Sequence, residues 1–295
     1  MPSEGEKAEQ EWRYETARLS ILQSLKASVE ILKAYYERLG FYTVSLLMAP
    51  IEILLEALVF IFISLFLQPA MATYVSKYGG NYLRFVLAGE IVLPYTSILL
   101  RLPHFIERKF WAHTFTVKYM FTKSSLASYI LSEILNRLIF AAASSTSIIA
   151  IAWHFGVHLT SSIIARISLL SCLAFISTIG LGLIGGSLFI LAESRWSNPV
   201  DTAVGILYRL FSGLYIPLEA LPSWLRTLSV LVPHTMIIEA VRFTVLMDAG
   251  LLDPCVLKNI ATVVIYAALT SLIGVVLMRK ALKRAFREGI FMRWT

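Results

Sequence analysis

Charge is scarce in this sequence. Only 15% of its 295 residues are Asp, Glu, Lys or Arg, against about 25% in a soluble globular domain, which excludes a chain able to cover itself with water. The hydrophobic runs do not alternate with polar residues, which excludes the strands of a membrane barrel. Cysteine is nearly absent, and Cys172 and Cys255 have no metal-site spacing and imply no disulfide. No Gly-x-x-x-x-Gly-Lys-Ser/Thr run occurs, so the chain has no phosphate cradle of the Walker type. The polar stretch before Phe41 lacks the apolar centre of a cleaved signal peptide, so the first hydrophobic run is expected to remain as a membrane helix.

What the chain has instead is apolar length. Hydrophobic residues make up 57% of it, gathered in runs of about 20, which at 1.5 Å per helical residue match a hydrocarbon core of about 30 Å. A backbone in that core must satisfy its own hydrogen bonds, and without barrel strands only helices do so. The expected fold is an all-α polytopic membrane protein of six transmembrane helices: Thr43–Leu67, Tyr82–Leu102, Leu126–Phe155, Ser162–Leu191, Val200–Leu218 and Val256–Met278. The corresponding division is a cytoplasmic N-terminal segment (1–42), a six-span domain (43–278) and a basic cytoplasmic tail (279–295).

The net charge of +7 does not form a stripe for nucleic acid, because the basic residues stand beside the hydrophobic runs. With the N-terminus inside, 18 Lys and Arg fall on the cytoplasmic side and 6 outside, Arg137 and Arg209 lying within runs. That asymmetry places both ends in the cytoplasm and the protein in the cell membrane. Ahead of the first run, Leu22, Leu25, Val29, Leu32, Tyr36 and Leu39 form one stripe of a helix, expected to lie in the membrane interface or to pack on a partner.

Between the fifth and sixth runs lies a segment that is neither a span nor an ordinary loop. It reads Ser212-Gly213-Leu214-Tyr215-Ile216-Pro217, then Leu221-Pro222-Ser223-Trp224-Leu225, then Pro233-His234-Thr235 and Glu239-Ala240-Val241-Arg242. Pro222 suits the first turn of a short helix, Pro233 is expected to end it, and a second helix is expected from about Met236. Neither is long enough to cross, so a re-entrant hairpin on the outer side is expected. Pro217, Pro222, Trp224, Pro233, Glu239 and Arg242 are its candidate residues.

This segment resembles the signature that precedes the last span in the permease subunits of type-2 ABC exporters. The resemblance implies two permease halves, in a homo- or heterodimer, each docked on a cytoplasmic ABC ATPase that binds the ATP and magnesium. It implies an outward path between the halves, lined mainly by spans one, two and five. The permease would need no cofactor and be no enzyme. Family members often carry a Gly-Thr-Leu-Glu type run in the loop between spans two and three. Here that loop reads Ile106-Glu107-Arg108-Lys109-Phe110-Trp111-Ala112-His113-Thr114-Phe115, similar only at its Glu-Arg start. Glu107, Arg108, Lys109, Trp111 and His113 are the candidate coupling residues.

Ionisable residues within the runs are the candidate lining of a path, since charge in hydrocarbon is costly and faces protein or water. Glu52 and Glu56 share a face of the first run, one turn apart. Arg209 lies at a depth comparable with Glu56, and Glu90 sits in the outer half of the second run. They either line a polar path or, for Glu56 and Arg209, pair to hold helices together. Glu133 and Arg137 have the spacing of an intrahelical ion pair. Gly180, Gly182, Gly185 and Gly186 suit close helix packing. Ser187 and the histidines His154 and His158 fall at opposite depths, which argues against a hydrolase. A stand-alone secondary transporter binding a driving cation at Glu52 and Glu56 is the alternative, although no internal repeat supports it. The substrate, whether drug, lipid, polysaccharide or ion, is not legible.

Overall fold

The computed structural model describes residues 21–38, 41–97, 126–192, 211–230 and 232–288. Among these residues there are helices and turns and no strand. The helices are α1 (Ile21–Arg38), α2 (Phe41–Met71), α3 (Tyr82–Glu90), α4 (Leu93–Ser97), α5 (Leu126–His154), α6 (Ser161–Ala192), α7 (Ser223–Val230), α8 (Pro233–Leu246) and α9 (Pro254–Arg287). A 3-10 turn, Ser76–Tyr78, joins α2 to α3. Among the described residues α5, α6 and α9 are long and apolar enough to cross a membrane. The bent pair α7 and α8, 91° apart, would make a fourth crossing if it counted as one.

Three expectations require correction. The run Tyr82–Leu102 is not one helix over its described part, because α3 stops at Glu90 and α4 starts at Leu93. Pro94 is the physical reason: it offers no N–H to the carbonyl of Glu90, and its ring crowds the preceding turn. The carbonyl of Ile91 at this break accepts a hydrogen bond from the Ser145 hydroxyl of α5, at 2.8 Å. The fifth run, Val200–Leu218, also ends early: residues 200–210 lie outside the described residues, and from Ser212 the chain bends instead of coiling. Gly213 takes φ +69° there, a left-handed conformation that turns the backbone out of the helix. Finally, Pro233 opens α8 rather than merely ending α7, occupying its first turn, where its missing N–H is not needed.

The helical stripe ahead of the first run is α1, which packs along the start of α5. Ser28, fully buried, donates to the carbonyl of Ser128 at 3.0 Å, and the Tyr36 hydroxyl donates to Asn136 Oδ1 at 2.8 Å. At the other end of the chain α9 continues unbroken past Met278 to Arg287.

Helices α6 and α9 approach backbone to backbone, and the glycines expected to pack are what permit it. Gly180, Gly182, Gly185 and Gly186 are all buried. A Cβ on Gly180 would stand 2.3 Å from the carbonyl carbon of Thr270, and one on Gly274 would stand 2.7 Å from the Gly180 oxygen. Backbone against backbone leaves no side chain to swing aside. The rest of the core gathers α3, α5, α6, α8 and α9 around Leu87, Ile91, Leu170, Leu214, Ile237 and Ile238, each almost wholly buried.

This packing sets a first prediction. Gly180→Val should force α6 and α9 apart and destabilise the protein by about 1–3 kcal/mol or more, read as a lower melting temperature in detergent. Gly250→Ala should change little, since a Cβ there meets only Asp253 at an ordinary 3.5 Å. Equal melting of the two variants would refute the account of this contact.

Candidate functional site

The hairpin segment is organised around one guanidinium. Arg242 lies on α8 and is 0% exposed. A charge so placed must be surrounded by hydrogen-bond acceptors or it destabilises the fold. Its Nε donates to the carbonyl of Phe85 at 3.1 Å, Nη1 to that of Gly213 at 2.9 Å and Nη2 to that of Leu214 at 2.7 Å. The flat face of the group lies 3.5 Å from the centroid of the Phe85 ring, a favourable cation–π geometry.

Local sequence makes the acceptors available. The bend at Gly213 leaves the carbonyls of Gly213 and Leu214 outside any helical ladder. Gly89 on α3 clears the space, because a Cβ there would stand 2.9 Å from Arg242 Nη2 and 2.9 Å from a Leu214 methyl. The arginine therefore joins α8 to α3 and to the bend at 213–214.

Glu239, one turn before Arg242 and 7% exposed, carries the compensating charge. Its Oε1 is 3.8 Å from Arg242 Nη1. The Tyr78 hydroxyl donates to its Oε2, and Lys77 Nζ stands 3.6 Å from the same oxygen. Lys77 reaches outward as well, to Glu219 Oε1 at 2.6 Å, with both side chains about 40% exposed (40% and 39%). Two cations and two carboxylates thus alternate from the buried Arg242 to the surface. Burial first, then the Glu239 charge, raise the Tyr78 phenol well above its ordinary pKa, so it remains a donor to the carboxylate.

Aromatic packing and one glutamine hold the turn that presents Lys77 and Tyr78. The Tyr78 ring lies between Phe85 and Phe243, 5.4 Å from each. Phe60 of α2 stacks on Tyr215 at 4.3 Å, and the Tyr82 hydroxyl donates to the Tyr215 carbonyl at 2.5 Å. Gln68, near the end of α2, donates to the carbonyl of Gly80 at 2.8 Å and accepts from the N–H of Tyr82 at 2.7 Å. The Asn81 side chain caps α3 by accepting from the N–H of Arg84.

The structure brings together only part of the set expected from sequence. Glu239 and Arg242 meet at the centre of the cluster, Pro217 is buried beside the bend, and Pro222 and Trp224 are exposed on and before α7. Glu90 is the last residue of α3 and half-buried. Glu52 and Glu56 lie one turn apart on α2, but their side chains are outside the description, and Arg209 is outside the described residues. Glu107, Arg108, Lys109, Trp111 and His113 are outside them too. Glu133 and Arg137 do form their intrahelical pair, at 2.8 Å. The Ser187 hydroxyl is bonded to the carbonyl of Ile184 within its own helix, and His154 and His158 are exposed.

Sequence reasoning missed Lys77, Tyr78, Phe85 and Glu219. No local pattern announces that the Lys-Tyr-Gly-Gly turn at residues 77–80 meets a hairpin far along the chain. No group of three or more His, Cys, Asp or Glu that could hold a metal ion occurs among the described residues.

The two halves of the cluster predict different sensitivities. Arg242→Gln should destabilise by about 3–5 kcal/mol, because it removes the cation from a buried ion pair and strands three carbonyls. Glu219→Gln should cost about 0–1 kcal/mol, as expected for an exposed pair. Melting temperatures in detergent test the ranking, and a Glu219 variant as damaged as the Arg242 variant would overturn it.

The hairpin also falls inside the segment that comparison with known families picks out. Residues 112–246 match the model of the ABC-2 type transporter family, just under half of the chain. No curated protein gives a significant match. The matched segment takes in α5, α6, α7 and α8, with Glu219, Glu239 and Arg242, while Lys77, Tyr78 and Phe85 precede it. Transporter domains of this class are permease components that work with an ABC ATPase subunit. The match of residues 112–246 to an ABC-2 type transporter domain thus supports the chain's being a type-2 ABC permease subunit, the family that its hairpin segment resembles.

Proposed function

We propose that this protein is the membrane permease of an ATP-driven exporter. It works as one of two permease halves, identical or mixed, each docked on a cytoplasmic ATPase that binds ATP and magnesium. The observation that carries the reading is the ABC-2 domain over residues 112–246, which takes in the hairpin held by Arg242. The family match does not favour the cation-coupled alternative.

In this reading six helices cross the cell membrane with both ends in the cytoplasm, and α1 lies at the inner interface beside α5. α7 and α8, of 8 and 14 residues, extend about 12 and 21 Å at 1.5 Å per residue, short of the hydrocarbon core. They form a hairpin that enters the outer leaflet and is covered by protein. The charge cluster keeps α8 registered against α3 and the end of α2, so these elements move as a unit.

Closure of the ATPase pair on ATP pushes the loop around Glu107, Arg108, Lys109, Trp111 and His113. That contact biases an equilibrium between a closed and an outward-open arrangement. The break at Ile91–Leu93 gives the second crossing a point at which to bend. Glu52, Glu56, Glu90 and Arg209 line the path between the two permease halves. The substrate moves outward along it.

Two experiments test this. The tagged permease should co-purify its ATPase, and charge reversal at Arg108 and Lys109 should weaken that capture or the stimulation of ATP hydrolysis while the permease still folds. Unchanged capture and stimulation in the double variant would remove the coupling role. For topology, single cysteines near Lys7, His113 and Arg293 should resist a membrane-impermeant thiol reagent in intact cells, and one near Ser223 should react. Labelling at position 113 from outside would overturn the six-helix arrangement.

A further inference from the structure

The last helix changes character along a single face. Ile265, Leu269, Leu272, Ile273 and Val276 are exposed apolar side chains. At 100° per residue they fall within one sector of α9. Arg279, Lys280, Lys283, Arg284 and Arg287 are exposed and fall in the same sector. The opposite side of this basic stretch is occupied: Met278, Ala281 and Ala285 are buried against Phe189 and Ile190 of α6. An exposed apolar strip therefore becomes a cationic strip within three residues, with no turn of the face.

We propose that this strip binds the anionic headgroups of phospholipids in the leaflet where α9 ends. The inference rests on α9 crossing the membrane, not on the ATPase. Three residues of helix rise about 4.5 Å, and a headgroup layer is about 5–8 Å deep on each side of the core. Arg279 and Lys280 thus leave the apolar strip at headgroup depth. Lys283 stands one turn beyond and reaches back along its flexible stem. Arg284 also holds Glu288, whose two oxygens each lie 3.0 Å from its Nε, and Arg279, Lys280 and Lys283 are the cations of the strip nearest the apolar face.

Charge and direction together select lipid over a protein below the membrane. A partner docked under the permease meets the end of α9, whereas these side chains continue the face that looks along the membrane plane. Basic clusters beside a membrane helix gain about fivefold in binding per cation near an anionic surface, an effect that salt screens.

The test uses the full chain purified in neutral detergent, with melting followed as phosphatidylglycerol or phosphatidylcholine is added. Phosphatidylglycerol should raise the melting temperature at low salt and less so at high salt, and phosphatidylcholine should not. The triple variant Arg279→Gln, Lys280→Gln, Lys283→Gln should melt like the parent without lipid and need tenfold or more phosphatidylglycerol for the same shift. Lys258→Gln, at the other end of α9, should respond as the parent does. Should the triple variant fail to fold, the three single variants should each show a shift of about fivefold.

An undiminished phosphatidylglycerol response in the variants overturns the proposal. So does a parent that responds equally to phosphatidylcholine, or to inorganic phosphate alone. Loss of ATPase capture in the triple variant with its lipid response intact would make the strip a protein dock and overturn it as well. Because the lipid arm contains no ATPase, failure of the exporter reading and failure of this one are separately visible.

Discussion

A guanidinium with no access to water has to be given its solvation by the protein. For Arg242 that solvation consists of three carbonyl oxygens, one aromatic face and a carboxylate a turn away. Those groups come from α3, from the bend at Gly213 and from α8 itself. The charge can be buried only if all three pieces are in place together, so one residue enforces an arrangement that hydrophobic contact alone would leave free to slide. Apolar surfaces are non-directional. Hydrogen bonds to a flat, forked donor are directional.

The same constraint explains where the helices break. In a dry interior an interrupted helix exposes polar backbone that must find another partner. The break before Pro94 leaves the Ile91 carbonyl to the Ser145 hydroxyl. The bend at Gly213 leaves two carbonyls to Arg242. Each irregularity has its own side-chain partner from a distant segment, and Ser145 and Arg242 are as much a part of the backbone's hydrogen bonding as of the core. The buried Ser145 and Arg242, awkward in an apolar protein, are thereby accounted for.

From this core toward the surface, the charge cluster loosens by degrees. Arg242 and Glu239 are enclosed, while Lys77 and Glu219 are near 40% exposed. Glu239 keeps Arg242 and Tyr78 whether or not Lys77 stays with it. The outer ion pair can therefore open at little energetic penalty, whereas the inner one cannot. In the proposed mechanism, where helices shift while the hairpin stays seated, both behaviours have a use.

Sequence alone determined that this chain is helical and made for a membrane. Long apolar runs and scarce charge leave no other way to satisfy a backbone in hydrocarbon, and the helices Phe41–Met71, Leu126–His154 and Ser161–Ala192 follow the runs closely, while Pro254–Arg287 continues past its run. Local chemistry also sufficed for the Glu133–Arg137 pair and for the glycines of α6, because spacing of four residues and absence of a side chain act within one helix or at its surface. The hairpin was legible as two short helices, and Glu239 and Arg242 as residues within it. What Arg242 does was not legible. Its acceptors are main-chain carbonyls, which every residue has, and Tyr78 sits in a turn whose partner, Glu239, lies 161 residues further along the chain. The tertiary structure decided those contacts, because a buried charge takes its partners from whatever the fold brings near it, and nearness in space leaves no periodic trace in sequence.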